Sequence, residues 1–357
     1  MRRALLRSLN LTALALATAC LPSSSGIGTA AFAQSDVQDA AFTAFRGVLR
    51  EAGARQGISQ ATLNSVIPTL VFLPRVITLD RSQPGGAINA PIPKFAPYRA
   101  RHVDSARISR GRAHYAELRP LLERVERETG VPEEMMLAIY GHETNYGAYT
   151  GNFDLLNALA SLAFEGRRRD LFMQEFLAAL RMMDRGTPRR QLRGSWAGAT
   201  GYPQFLPSVY LRVARDGDGD GRADIWKSEA DALASIANYF VRAGWRPGVA
   251  WGVAASVPNG LDWSALETRT VAPRCPRVLS RHSQWRTIAE WRSLGVMQQQ
   301  RVLRDSQLAV LFQPDGPGTP AWLLTENYRV ILDYNCSNFY ALSVGLLADE
   351  IVRPRAD

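Results

Sequence analysis

The sequence predicts an α+β protein that is mainly α-helical, with a small antiparallel β lobe inserted late in the chain. Apolar residues recur at helical spacing from about residue 36 to residue 243, whereas β-rich runs are confined to the region beyond Trp251. An Asp-rich loop at 216–221 separates two of the predicted helices. The chain has 357 residues, of which 46% are hydrophobic. This is enough to bury a core in two or three lobes, and it excludes a disordered or collagen-like protein.

The chain is basic, because 42 Lys+Arg outnumber 33 Asp+Glu by nine, and Lys occurs only at Lys94 and Lys227. This balance indicates a partner with negative charge. The Arg residues are scattered, however, and they form no reading helix, aromatic ribonucleoprotein motif or zinc-finger spacing. Nucleic acid is therefore not expected as a partner.

The N-terminus has the pattern of a cleaved secretory signal over residues 1–33. Met1-Arg2-Arg3 precede an apolar run at 9–21, and Ala31-Phe32-Ala33 precede Gln34. The apolar run is too short for a membrane span and no later run is longer, so no transmembrane span is expected after signal removal. We expect a monomer exported to the periplasm. Alternatively, residues 17–20 resemble a weak lipobox, in which case Cys20 would be acylated.

Export changes how the cysteines are interpreted, because disulfides persist in an oxidising compartment. If the signal is removed, Cys275 and Cys336 remain, and we predict that they pair. The alternative is two buried thiols; no cysteine spacing indicates a zinc site.

The helical part begins with apolar residues on one face of 36–66, namely Phe42, Phe45, Val48 and Leu49. A proline-rich passage at 84–97 predicts an extended connection. A second helical pattern runs from 107 to 128 and is broken by Gly130. Further helices are predicted at 155–164, 169–183 and 230–243. The β-rich runs are 253–257, 308–312 and 322–333, with a turn at 313–318 between the last two.

Glu143 is the most informative titratable residue. Pro132-Glu133-Glu134 predicts the start of a helix, since Pro suits the first helical position and acids suit the positive end of the helix dipole. The apolar stripe of that helix passes through Met136, Ile139 and Tyr140, and its next position is Glu143. Desolvation there would raise the pKa of the carboxyl, as a general acid requires. The alternative is a carboxylate at a frayed helix end, in water or paired with Arg.

Other catalytic classes are excluded by their motifs. His142-Glu143 begins like a zinc-protease helix, but the second His would have to lie at Tyr146. Ser195 is not in a Gly-x-Ser-x-Gly elbow, and a Gly-rich phosphate loop with a Lys is lacking.

Alternate carboxylates in the Asp-rich loop predict a cation site. Gly at its sixth position allows the sharp turn of an EF-hand loop. Lys227 stands where an EF-hand has its bidentate Glu, so we expect Asp231 to close a longer loop. The predicted ligands of a structural Ca²⁺ (or Na⁺) are Asp216, Asp218, Asp220, Arg222 and Asp231. The alternative is a metal-free loop of Asx turns.

Several ordered motifs together resemble the lytic murein transglycosylase B family over most of the chain from about residue 36. They are Gly141-His142-Glu143-Thr144-Asn145-Tyr146-Gly147, Asn157-Ala158-Leu159-Ala160, Arg168-Arg169, Gly194-Ser195-Trp196-Ala197-Gly198-Ala199-Thr200-Gly201-Tyr202-Pro203-Gln204-Phe205-Leu206-Pro207-Ser208, the Asp-rich loop, Ala237-Asn238-Tyr239-Phe240 and Tyr334-Asn335-Cys336-Ser337-Asn338-Phe339-Tyr340.

The resemblance implies a lysozyme-like core with a helical lobe, a small β lobe and an EF-hand-like loop. After the signal, the implied organisation has four parts. They are an N-terminal helical lobe and connection at 34–104, a catalytic core at 105–250 with the metal loop at 216–231, a β lobe at 251–330, and a C-terminal segment at 331–357 that returns to the core.

The resemblance also implies cleavage of the β-1,4 bond between N-acetylmuramic acid and N-acetylglucosamine in peptidoglycan, with 1,6-anhydromuramoyl ends and no catalytic cofactor. Glu143 would be the single catalytic acid and then the base. The partners would be glycan strands, stem peptides and cell-wall synthesis or secretion machinery. Two alternatives stay open: a peptidoglycan-binding scaffold that does not cut, and a hydrolytic muramidase, for which Asp154 is the only nearby second acid.

The mapped binding residues fall into two groups. Those implied to line the sugar groove are Ser195, Gln204, Tyr239, Tyr334, Asn335 and Tyr340. Arg168 and Arg169 would meet the carboxylates of the stem peptide. The tyrosines could instead be core aromatics, Ser195 and Gln204 could be turn residues, and the arginines could form a solvated basic face.

Overall fold

The structure is a computed structural model, which describes residues 26–83, 93–268 and 274–354, with side chains from residue 38 onward. Cys20, residues 84–92 of the proline-rich passage and most of the predicted signal lie outside the described residues. The chain divides into two compact units, residues 1–45 and 46–357. Of the first unit, the structure describes the N-terminal part of one long helix.

Helices form the first half of the described chain. They are α1 (Gly26–Arg55), α2 (Gln60–Val66), α3 (Pro74–Ser82), α4 (Phe95–His102), α5 (Ser105–Glu117), α6 (Arg119–Thr129) and α7 (Glu133–Thr144). The segment 36–66, predicted as one helix, belongs to two helices, because Gly57 takes a left-handed conformation (φ 74°) between α1 and α2. On its predicted face Leu49 is buried, but Val48 is 46% exposed. The pattern at 107–128 is also two helices, broken at Leu118 just before Pro120, which lacks an N–H and therefore favours a helix start.

The middle of the chain alternates short strands with helices. It contains β1 (Phe153–Asp154), α8 (Leu155–Glu165), α9 (Arg169–Asp184), β2 (Arg193–Gly194), α10 (Pro207–Val213) and α11 (Glu229–Arg242). The predicted helices at 155–164, 169–183 and 230–243 agree with α8, α9 and α11 to within a residue or two. Strands β1 and β2 pair antiparallel, with Phe153 opposite Gly194.

The β lobe and the C-terminal helices complete the chain. They are β3 (Gly252–Ser256), α12 (Pro276–Leu279), β4 (Arg286–Thr287), α13 (Ile288–Ser293), β5 (Met297–Gln298), β6 (Leu308–Phe312), β7 (Ala321–Leu324), α14 (Glu326–Tyr334) and α15 (Asn338–Val352). The five strands form one antiparallel sheet in the order β4-β6-β7-β3-β5.

The predicted strand at 322–333 is wrong beyond Leu324. Thr325 accepts a hydrogen bond from the backbone N–H of Asn327 and thereby caps α14. Tyr328, Ile331 and Leu332 are all buried, and their spacing of three and four residues is helical. The β-branched residues in this segment favoured a strand, but packing of the helical face decided the outcome.

The sheet is buried on both faces, which explains why β6 is apolar without alternation. Val310 and Phe312 join the main core, whereas Ala309 and Leu311 join a separate core of the β lobe. Within the same main core, α15 packs against α7. Since α7 carries Glu143 and α15 carries Tyr340, this packing positions the candidate site.

Among the described residues, no single helix has both the length and the apolar composition of a membrane span. The segments Gln60–Thr69 and Pro74–Ser82 meet that test only as a pair, and an 85° bend separates them.

Candidate active site

Glu143 occupies the last turn of α7, where the helix emerges from the core. Met136, Ile139 and Tyr140 on the same stripe are at most 1% exposed, whereas Glu143 is half-buried. The helix ends because Asn145 takes a left-handed conformation with φ 53°. The carboxyl is therefore held on a rigid element and is still reachable from outside.

The environment of Glu143 suits a group that changes its protonation state near neutrality. Burial raises the pKa of its carboxyl to about 7. Tyr340, 5% exposed, donates a hydrogen bond to Oε1 over 2.5 Å and opposes that rise by stabilising the ionised form. With a pKa of about 7, Glu143 can both donate and accept a proton at neutral pH.

Three tyrosines from α11, α14 and α15 form one wall beside Glu143. The rings of Tyr239 and Tyr334 lie 4.7 Å apart. Tyr334 donates to the carbonyl of Pro203 over 2.5 Å, and Tyr239 donates to the carbonyl of Asp333 over 2.8 Å. The pKa values of Tyr334 and Tyr340 are raised well above the usual value. Burial is the larger cause, and the charge of Glu143 is the next. Their hydroxyls therefore stay protonated and act as hydrogen-bond donors.

Ser195 and Gln204 lie in the loop that follows β2, and both hold that loop together. The hydroxyl oxygen of Ser195 accepts from the N–H of Ala199 over 3.0 Å. Gln204 adopts φ 49°, and its side-chain amide donates to the carbonyls of Thr150 and Gly201. Because Pro203 in the same loop contacts Tyr334, the structure brings this loop and the tyrosine wall together.

Asn335 is exposed at the end of α14, directly after Tyr334. The next residue, Cys336, forms a disulfide with Cys275. This bond ties the segment before α12 to the short connection between α14 and α15, so it holds the position of Asn335.

Arg168 and Arg169 both have partners within the protein. Arg168 forms an ion pair with the buried Asp80 over 2.5 Å, and its side chain is 39% exposed. Arg169 donates to the carbonyls of Ala163 and Phe164 at the end of α8. Neither contact brings these arginines to Glu143.

Two further side chains lie near Glu143 or Tyr340 through tertiary packing, which the sequence pattern did not reveal. The charge of Glu143 acts on Tyr98 of α4, whose pKa is raised by burial and by that charge. His142 hydrogen-bonds to Ser343 over 2.8 Å, and its ring packs against that of Tyr340 with the ring centroids 4.8 Å apart. Burial lowers the pKa of His142 to about 3, so it is neutral. Helical spacing alone carries no signal for either contact, because both form between segments distant in the chain.

Asp154, considered as a second acid, has a structural role. It accepts a hydrogen bond from the N–H of Asn157 and so caps α8, and it forms an ion pair with Arg189 over 3.0 Å. Burial and Tyr340 are the two influences that set the pKa of Glu143, so Asp154 does not contribute to it.

Part of the predicted cation site converges. Ligand oxygens of Asp216, Asp218 and Asp231 lie within 4.8 Å of one another. Asp231 is 1% exposed and accepts backbone hydrogen bonds from Gly217 and Asp224, so it ties both sides of the loop. These hard oxygen donors fit Ca²⁺.

Asp220 lies outside that set of three. Its carboxylate instead accepts from the N–H of Arg222 over 2.8 Å. Burial raises the pKa of the Asp231 carboxyl, and a bound cation would stabilise the ionised form of that group.

The chain matches the family of the transglycosylase SLT domain over residues 41–349. It is 29% identical over 312 residues to membrane-bound lytic murein transglycosylase B of Escherichia coli (strain K12), covering 84% of this chain and 80% of the relative. SltB3 from Pseudomonas aeruginosa, solved in complex with NAG-anhNAM-pentapeptide, has a TM-score of 0.77 and 36% identity, covering 87% of this chain and 79% of that chain. The Escherichia coli lytic transglycosylase Slt35, solved in complex with calcium, has a TM-score of 0.69 and 29% identity. The match covers 86% of this chain and 92% of that chain.

These likenesses cover most of the chain, and they confirm the predicted mainly α, lysozyme-like fold class with its β lobe. They also confirm the resemblance that the ordered motifs indicated. The chain belongs to the transglycosylase SLT domain family.

Proposed function

We propose that this protein is a lytic transglycosylase, which cleaves the β-1,4 bond between N-acetylmuramic acid and N-acetylglucosamine and leaves 1,6-anhydromuramoyl ends. The observation that carries the proposal is Glu143, a half-buried carboxyl whose pKa is raised to about 7 by burial. One such group can act as acid and then as base.

The reaction needs no water and returns Glu143 to its starting state. Protonated Glu143 donates its proton to the glycosidic oxygen as the bond from that oxygen to C1 of the muramoyl residue breaks. The 2-acetamido carbonyl stabilises the positive charge that develops at C1. The C6 hydroxyl oxygen then bonds to C1, and the carboxylate of Glu143 takes the hydroxyl proton. Since the attacking oxygen belongs to the sugar, the second carboxylate of a hydrolytic glycosidase is not required.

The roles of the remaining residues follow from the family resemblance. We propose that Tyr340 holds Glu143 in place. The sugar groove is lined by Ser195, Gln204, Tyr239, Tyr334 and Asn335 in this proposal. The assignment of Arg168 and Arg169 to stem-peptide carboxylates stays a prediction. Calcium in the Asp216 loop would be structural, as its position before α11 supports.

The cellular setting follows from the N-terminal pattern and from the substrate. We propose action on peptidoglycan in the periplasm, after export, with Cys20 acylation as the alternative. The relative named as membrane-bound in Escherichia coli supports a place in the cell envelope.

The test is mass spectrometry of the products released from purified peptidoglycan by the mature protein and by Glu143→Gln. We expect anhydro ends, lighter by one water than hydrolysed ends, with the wild type and none with Glu143→Gln. The matched control is Glu134→Gln, which changes a carboxyl in the first turn of the same helix, and we expect it to retain turnover. Circular dichroism verifies that each variant is folded.

The other outcomes separate the alternatives. Hydrolysed ends would indicate a muramidase with a second carboxylate. An absence of products from folded wild type would favour the scaffold that binds and does not cut, and substantial turnover by Glu143→Gln would contradict the assignment of the acid.

A further inference from the structure

Two hydrogen bonds join the N-terminal part of α15 to the last turn of α7. Tyr340 donates to Oε1 of Glu143, and Ser343 hydrogen-bonds to Nε2 of His142 over 2.8 Å. The partners on α7 are consecutive residues, and those on α15 are three residues apart, so they lie on one face of that helix. Two contacts of this kind restrain both the rotation and the sliding of α15 on α7.

The ring of His142 contacts two other rings. It packs edge-to-face against Tyr340, with the centroids 4.8 Å apart, and it lies parallel to the ring of His102 of α4, with the centroids 5.1 Å apart. His102 in turn stacks on Tyr98 at 4.0 Å, and its Nδ1 is 2.8 Å from the carbonyl oxygen of Tyr98. His142 therefore has little freedom to turn, and its position limits where the ring of Tyr340 can lie.

The bond to Ser343 assigns the tautomer of His142. The hydroxyl of Ser343 has one hydrogen, which it donates to the carbonyl of Phe339 over 2.8 Å or to that of Tyr340 over 3.0 Å. Its oxygen therefore accepts from His142, so the hydrogen of the neutral imidazole is on Nε2. Loss of either His142 or Ser343 would break this link between the two helices.

His142 carries no charge near neutral pH, because burial, followed by the charges of His102 and Arg107, lowers its pKa to about 3. The titratable and charged groups that adjoin Glu143 or His142 from other helices are Tyr98 and His102 of α4, Arg107 of α5, Tyr334 of α14 and Tyr340 of α15. Burial and the bond from Tyr340 set the pKa of Glu143. An influence of His142 on Glu143 must therefore pass through the position of Tyr340.

We propose that His142 is a positioning residue for the reaction at Glu143. It holds Ser343 and the ring of Tyr340, and thereby keeps the hydroxyl of Tyr340 on Oε1 of Glu143. The inference deepens the proposed function and rests on it, because it identifies what holds the catalytic acid in one geometry. His142 itself does not touch the reacting atoms.

The test follows the titration of Glu143 by NMR of protein labelled with ¹³C in the glutamate carboxyls, so it requires no turnover. Glu143→Gln identifies the signal by its loss. In His142→Leu the midpoint should rise by about one pH unit, the size expected when a hydrogen bond to a charged group is lost. Ser343→Ala removes the other partner and should shift the midpoint in the same direction. His142→Gln, whose amide can still donate to Ser343, should titrate close to the wild type.

The double variant His142→Leu, Tyr340→Phe tests whether the effect passes through Tyr340. It should titrate like Tyr340→Phe alone, and the falling limb of kcat/KM should move with the midpoint in each variant. Shifts that add in the double variant would mean that His142 acts on Glu143 by another route, which would overturn the proposal.

The matched control is His282→Leu. His282 is 2% exposed and hydrogen-bonds to Asn338 of α15 over 2.7 Å, but its ring packs against Phe312 and Tyr328 instead of Tyr340. His282→Leu should lower the thermal midpoint of unfolding and leave the titration of Glu143 unchanged. An equal shift of the titration in this control would show a general loosening of α15 and overturn the proposal.

An unchanged titration of Glu143 in both His142→Leu and Ser343→Ala would also overturn it. If His142→Leu does not fold, Ser343→Ala decides alone, because it removes only a hydroxyl from α15. Failure of the proposed function is recorded separately, as an absence of anhydro products from the wild type, since the NMR titration does not depend on turnover.

Discussion

The hydroxyl of Tyr340 donates a hydrogen bond to Oε1 of Glu143 over 2.5 Å, across the contact between α15 and α7. The bond favours the ionised carboxylate, whereas burial favours the protonated acid. Burial has the larger effect, and the pKa of Glu143 is about 7. The two residues are 197 positions apart in the chain, so the tertiary packing of α15 against α7 sets the protonation of the catalytic group.

The pH dependence of kcat/KM should follow the protonated fraction of Glu143. Because the raised pKa is about 7, activity should fall as the pH rises through that value. Tyr340→Phe removes the bond that lowers the pKa, so the falling limb should move to higher pH. Tyr115→Phe is the control, since Tyr115 contacts Glu133 and not Glu143. A limb that stays in place in Tyr340→Phe would show that the bond does not control the titration.

How much of this site the sequence could predict differs between residues. Glu143 was found because its position on an apolar helical stripe is a local property. The proximity of Tyr98 to Glu143 and the contact of His142 with Tyr340 were not found, because they arise only when α4, α7 and α15 pack together. For Arg168 the neighbouring basic residues were visible, but its buried partner Asp80 lies 88 positions away.

Asp80 should contribute stability that depends on pH. Burial tends to raise the pKa of its carboxyl, but the hydrogen bonds and charges of Arg167 and Arg168 outweigh burial and hold the pKa below its usual value. Such a group stabilises the fold above its unfolded pKa, and this contribution is lost as the pH falls through the folded pKa. Asp80→Asn should lower the free energy of unfolding by about 2 kcal/mol at neutral pH, the size expected for hydrogen bonds to a charged group. Urea unfolding at several pH values measures this free energy for both proteins. The difference between the variant and the wild type should become smaller at acidic pH.

Arg168→Gln separates a structural role from a substrate role. It should cost less stability than Asp80→Asn, because Arg167 still neutralises the carboxylate. If Arg168 serves only to neutralise Asp80, the KM for peptidoglycan should change little. A large rise in KM with unchanged stability would instead restore the assignment of Arg168 to the stem peptide.

The fold shows the same division between local and distant information. The bounds of α8 and α11 follow from apolar spacing, and the sequence predicted both. The segment after Leu324 was predicted as strand because Val330 and Ile331 favour β structure. Its helix depends on burial of Tyr328 and Ile331 in the main core, which a local pattern does not contain.

Loss of the disulfide should weaken both stability and substrate binding. Cys275 and Cys336 are 61 positions apart, and closing a loop of that length restricts the unfolded chain by about 4 kcal/mol. The double variant Cys275→Ser, Cys336→Ser should unfold at a lower denaturant concentration. Its free energy of unfolding should be smaller by up to about 4 kcal/mol. Its KM should rise, since Asn335 loses its tether. Reductant should destabilise the wild type and leave the double variant unaffected; equal midpoints for the two proteins would contradict the prediction.

Calcium should raise the thermal midpoint, because Asp216, Asp218 and Asp231 converge only in the folded protein. At a free calcium concentration a hundred times the dissociation constant, the free energy of unfolding should rise by about 2.7 kcal/mol. Asp218→Asn should reduce this gain, whereas Asp262→Asn, which removes an exposed carboxylate hydrogen-bonded to Ser264, should keep it. Since Ser228, which caps α11, also donates to Asp218, hydrogen exchange in the first turn of that helix should slow with calcium. A thermal midpoint that is the same in calcium and in chelator would contradict the prediction that this loop binds a cation.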